Sequence, residues 1–114
     1  MGALANIVNN TITKIFTEFK ELTDSEKVKL FIEAMFAVLY DEKPVLDETA
    51  ISFTIEYDEA GSLVTFKAKN MYSLLMMYGI PCKPEDVVDL KEYRLPYGIF
   101  SIDEEGNPKF SKFA

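Results

Sequence analysis

The apolar positions Ala5, Val8, Ile12, Ile15, Phe19 and Leu22 recur at intervals of 3, 4, 3, 4 and 3 residues, the spacing of one helix face. They predict a first helix over Ala3–Leu22, with Leu4, Ile7 and Phe16 widening the stripe. Asn9, Asn10 and Thr11 are weak helix formers and mark a place for a kink. Thr23, followed three residues later by Glu26, is a capping-box pattern. Asp24 and Glu26 also suit the positive end of a helix dipole. A second helix is expected from there to about Asp41, before Pro44. It is apolar almost all round between Leu30 and Tyr40, broken only by Glu33. A helix of that kind needs cover on several sides. It is therefore expected at the centre, with the first helix folded antiparallel on one face.

Between Glu48 and Lys69 the period changes to two. Ile51, Phe53, Ile55 and Tyr57 alternate with polar residues, and Val64, Phe66 and Ala68 do the same after Gly61. This predicts a hairpin that pairs Tyr57 with Val64 and Thr54 with Lys67, its apolar face covering the second helix. Asn70 is a good N-cap for a third helix over Met71–Tyr78, ended by Gly79. Pro84–Leu90 reads as a short fourth helix with Pro and acids in its first turn. Lys91–Phe113 holds two or three short strands around a turn at Asp103–Asn107. The order ααββα(α)ββ predicts a single α+β domain, an N-terminal helical hairpin packed on an antiparallel β-sheet with one or two further short helices.

Composition supports a real core. The chain has 114 residues, 48% of them hydrophobic, with nine Phe and six Tyr. Folding at this length removes about two-thirds of the unfolded surface from water, and intrinsic disorder is excluded. The net charge of −7 is unevenly spread. Residues 41–59 hold seven acids and only Lys43, a net of −6, whereas residues 60–114 are neutral overall. No basic cluster exists to neutralise phosphates, which argues against direct nucleic-acid binding. The acidic stretch Tyr40–Glu48 reads either as a solvated loop or as a patch that imitates phosphates and docks on a basic protein surface.

One cysteine makes no disulfide within the chain. The N-terminus lacks a secretory pattern, and Asn6 stands where a myristoylation motif wants Ser or Thr. The run Leu30–Tyr40 is too short to span a bilayer. A cytoplasmic protein of cellular or viral origin, with no membrane partner, is expected.

The chain contains no His, which rules out every His-based triad and metal site. Cys82 lies beside Lys83 and just before a short helix, a weak case for a lowered thiol pKa; a structural role is expected instead. Asp103–Asn107 is too short for an EF-hand loop and has no distant Glu. The acid-x-Lys triplets Asp41–Lys43 and Asp89–Lys91 follow no strand that would complete a nuclease site. Five scattered glycines form no phosphate loop. No catalytic residue, cofactor or metal ligand is assigned, and the chain is not expected to be an enzyme.

What remains is binding. Helical spacing turns Met71, Leu74, Leu75 and Tyr78 to the core and leaves Tyr72, Met76 and Met77 on the flank or far face. Methionine-rich surfaces adapt to partners. Tyr72, Met76 and Met77 read either as core or as candidates to bind a partner, together with Asp41, Glu42, Asp47 and Glu48. The total apolar load also exceeds what one small interior needs, so Val8, Ile12, Ile15 and Phe19 are expected at a homodimer interface. The functional expectation is a protein-binding module or inhibitor that occludes a partner's surface. One alternative is a small-ligand protein or enzyme with a pocket lined by Tyr72, Met76, Tyr78 and Tyr97. Another is a structural subunit.

Overall fold

The chain reverses direction at Thr23, and the first two helices are built around that point. The structure, a computed structural model, describes the backbone of residues 2–113 and the side chains of residues 6–113. Leu4 and Ala5 of the expected first-helix stripe have side chains outside that range. Helix α1 spans Gly2–Glu18 and α2 spans Asp24–Tyr40. Thr23 is extended at φ −71° and ψ 163°. Its hydroxyl accepts from the Glu26 amide at 3.2 Å, and the Glu26 carboxylate accepts from the Thr23 amide at 2.9 Å. The capping box is complete, and these bonds hold the Glu26 carboxyl below the usual range. An extended Thr23 needs a turn before it, so α1 stops at Glu18, not Leu22; Leu22 N–H closes that turn on the Phe19 carbonyl at 3.2 Å. No kink appears at Asn9–Thr11. The helix runs through, with the Thr11 hydroxyl donating to the Ile7 carbonyl at 2.7 Å.

Strands β1 (Phe53–Tyr57) and β2 (Leu63–Ala68) form an antiparallel hairpin. Thr54 pairs with Lys67 as expected, but Tyr57 faces Leu63, not Val64. The turn explains the slip. Asp58 N–H donates to the Ser62 carbonyl, and the Asp58 carboxylate accepts from the amides of Ala60 and Ser62, each at 2.9 Å. That closure leaves one extra residue in β2, a bulge. Val64 is consequently turned outward, 66% exposed, while Leu63 takes the inner position. Phe66 joins the hairpin to both helices. Its ring centroid lies 4.7 Å from Phe53, 5.1 Å from Phe16 on α1 and 5.9 Å from Phe31 on α2.

Helix α3 (Met71–Met77) starts at Asn70, whose side chain accepts from Ser73 N–H at 2.8 Å. It packs against α2, β2 and the short α4 (Pro84–Val87). The tail contributes β3 (Glu92–Leu95), β4 (Gly98–Ile102) and β5 (Pro108–Lys112), in the antiparallel order β3-β4-β5. The strands thus make two sheets, one of two strands and one of three, where a single sheet was expected. Gly98, Phe100 and Ile102 of β4 face inward at period two. Phe100 packs on Tyr78 at 5.1 Å and on Phe110 at 5.0 Å. Gly98 lets β4 pass beneath Phe110, because any Cβ there would strike that ring and the Ser111 carbonyl.

Candidate functional site

Three of the residues expected at a partner surface lie in the core. Tyr72, Met76 and Met77 are 0%, 1% and 8% exposed, and every residue of α3 is buried. A helix lined by α2, β2 and α4 has no outer apolar face, since the flank left over by helical spacing is covered by other elements. The first-helix seam is corrected in the same way. Val8, Ile12 and Ile15 are buried within the chain and Phe19 is partly buried against the same core. The hairpin and α2 consume that stripe, so it offers no surface to a second copy. The expected ligand pocket also dissolves. A cavity of about 250 Å³ does separate α3 from the strands, lined by Phe66, Leu74, Met77, Tyr78 and Phe100, but of the four expected residues only Tyr78 reaches it. Tyr97 stands on the outside, stacked on Phe110 at 6.0 Å.

The expected acidic residues are on the surface, as Asp41, Glu42, Asp47 and Glu48 are all exposed. They sit among apolar side chains that the periodicity placed under cover. The last turn of α2 leaves Val38, Leu39 and Tyr40 partly exposed, and Val45 in the following loop is 95% exposed. The helix ends at Asp41, which is left-handed at φ 54° and whose amide donates to the Ala37 carbonyl at 3.0 Å. The Tyr40 hydroxyl donates to the Gly79 carbonyl at 2.6 Å, tying this turn to the end of α3.

The loop is held from beneath. Asp47 N–H donates to the buried Tyr72 hydroxyl at 3.0 Å. The Asp47 carboxylate accepts from the Thr49 hydroxyl at 2.6 Å and the Thr49 amide at 3.0 Å, which holds its pKa below the usual range. The Asn70 side chain donates to the Ala50 carbonyl at 2.9 Å, and Ser52 N–H to the Ser73 hydroxyl at 2.8 Å. Tyr72 is thus a positioning residue for the acidic loop without touching anything outside the molecule.

Beside the loop, α2 and β1 stand apart. Between them lies a trough of about 320 Å³ with Val28, Leu46, Ile51, Phe53 and Ile55 in its walls and Asp24 at one end. Two adjoining hollows of about 350 and 290 Å³ share Lys29 and Glu48 with it. The Lys29–Glu48 ion pair, 3.2 Å long with both side chains more than half exposed, bridges the place where the three meet. An exposed pair of this kind contributes about 0–1 kcal/mol. Near Asp24, the Tyr57 hydroxyl donates to the Asp24 carboxylate at 2.6 Å. Burial, that hydrogen bond and the Asp24 charge push the Tyr57 pKa up to about 12. The Lys27 ammonium lies 5.3 Å from the Phe16 ring centre and 5.6 Å from that of Tyr57. Sequence alternation identified Ile51, Phe53 and Ile55 as one face. It carried no sign that this face would stand open at its edge.

Cys82 is half-buried, and burial together with the Asp86 charge pushes its pKa up to about 11. That is opposite to the lowering that Lys83 suggested. Among the described residues, no three His, Cys, Asp or Glu side chains gather where they could hold a metal ion. No helix among them is long and apolar enough to cross a membrane. Comparison of the chain with protein-family models, with curated proteins and with solved structures finds no match.

Proposed function

We propose that this chain is a protein-binding module that occludes a surface of its partner, using the end of α2 and the loop to Glu48. One observation carries the reading: Val38, Leu39, Tyr40 and Val45 are exposed within eight residues, interleaved with Asp41 and Glu42. Exposed apolar patches rimmed by polar residues mark interaction sites. The hydrogen bonds under Asp47 and Ala50 support it, because a loop already ordered loses little entropy on binding. The acids suit a partner surface with basic side chains.

The test is capture of a partner by immobilised full-length chain, repeated with two sets of variants. Val38→Ser with Val45→Ser removes the apolar contacts, and Asp41→Asn, Glu42→Gln, Asp47→Asn and Glu48→Gln remove the charge. Loss of the partner in both sets, with the circular dichroism of the wild type, supports the reading. Retention in the apolar set overturns it, and retention in the charge set removes the acidic loop from the contact.

A further inference from the structure

We propose that the free edge of β1 receives an extended segment of a partner protein as an added strand, and that this segment alternates apolar residues with lysine or arginine. The inference rests on the binding-module reading and names the partner's chemistry and a further contact beside the acidic loop, which Leu46 and Glu48 share with the trough.

The backbone sets the geometry. β1 has β2 on one side and no strand among the described residues on the other. Lys69 N–H donates to the Ser52 carbonyl at 2.9 Å, which fixes the parity of the ladder. The Ser52 carbonyl and the backbone polar groups of Thr54 and Glu56 turn towards β2, and those of Phe53 and Ile55 turn away. Those outward groups border the trough whose walls include the Phe53 and Ile55 side chains themselves, with Val28 and Leu46 opposite. Unpaired donors and acceptors beside an apolar trough are what strand addition requires: main-chain bonds give affinity, and the trough takes alternate side chains. Phe53–Tyr57 contains no Pro and no Lys, its one charged side chain is Glu56, and the bulge lies on β2, so the edge is only lightly blunted.

Charge selects the occupant. Pairing β1 with β1 of a second copy would bring together two segments that each carry −6 over residues 41–59. Most of that charge flanks the strand, and two such acidic segments repel when brought together. A basic segment meets Asp24 and Glu48, the two acids of the trough lining, against Lys29 as its one base. Glu48 is held only by its exposed pair with Lys29, which an incoming cation can replace.

Fluorescence polarisation with the full chain and a labelled ten-residue peptide of alternating valine and lysine tests this. The expected result is saturable binding, weakened about tenfold or more when glutamate replaces lysine, and by a similar factor when alternate peptide nitrogens on one edge are methylated. Ile55→Pro removes an outward N–H without touching a bond to β2, and binding is expected to fall likewise. The methylated peptide on the wild-type chain gives the same answer should that variant not fold. No binding at millimolar peptide, or equal binding of the methylated form, overturns the inference. So does a doubled mass in light scattering that Ile55→Pro abolishes, which would assign the edge to a second copy. If the peptide fails while a captured partner is still lost on Val38→Ser with Val45→Ser, the module reading stands and the edge inference alone falls.

Discussion

Two stretches of this chain are equally greasy and have opposite fates. Met71–Met77 is wholly buried, whereas Val38, Leu39 and Tyr40, with Val45 beyond them, face outward. Neither hydrophobicity nor helical period distinguishes them. The difference lies in what else reaches each one. α3 lies against α2, β2 and α4, while the last turn of α2 touches Gly79 and leaves Ala37–Tyr40 exposed. The joint between the two regions is Gly79, where the Tyr40 hydroxyl meets a backbone carbonyl.

The contrast is broken most forcefully in the core. Leu75→Ala should cost about 2–5 kcal/mol in urea denaturation, the range for truncating a fully buried aliphatic side chain. Val38→Ser should stay within about 0.5 kcal/mol. Comparable losses at the two sites would mean that the end of α2 is covered after all.

Gly79→Ala probes the joint. Its φ is +72°, and a Cβ would strike the Leu39 side chain. Backbone strain alone predicts a loss of about 1–3 kcal/mol, with Leu39 displaced from its seat. A neutral effect would show that the two regions are not locked together there.

Tyr72→Phe is subtler. It removes the acceptor for Asp47 N–H while keeping the buried ring, and about 1 kcal/mol should be lost. Hydrogen exchange should quicken at the Asp47 amide and leave the α3 amides protected. Unchanged exchange at Asp47 would remove Tyr72 as the anchor of the acidic loop.

A separate effect is alkaline. Cys82 and Tyr57 both release their protons later in the folded state, at about 11 and about 12 instead of 9.0 and 10.0. Each therefore adds stability that is complete below its unfolded pKa and is lost as pH rises through the folded one. Stability should decline between about pH 9 and pH 12. Cys82→Ala and Tyr57→Phe should each flatten part of that decline. The Cys82 thiol should also react about a hundredfold more slowly at pH 8 than in the unfolded chain, in line with its thiolate fraction. A rate equal to the unfolded one would contradict the burial.

Much of the architecture was legible because local signals act within a few residues. Thr23 with Glu26, Asn70 before Met71 and the Thr54–Lys67 register needed only spacing and turn chemistry. The Val64 displacement was not legible, because it depends on how many residues the Asp58 carboxylate gathers into the turn. The surface proposed for binding was half legible. Asp41, Glu42, Asp47 and Glu48 lie where a charge count placed them, whereas Tyr72, Met76 and Met77 were mistaken for a surface.

The sequence by itself determined the helix starts, the hairpin, the α+β order and the place of the negative charge, since propensity, capping and charge are properties of short segments. Only the tertiary structure decided which apolar face is enclosed and which edge is left open. Burial depends on whether elements distant in the chain arrive to cover a face. α3 received such cover on every side, the last turn of α2 received it only at Gly79, and the free edge of β1 has no strand beside it among the described residues.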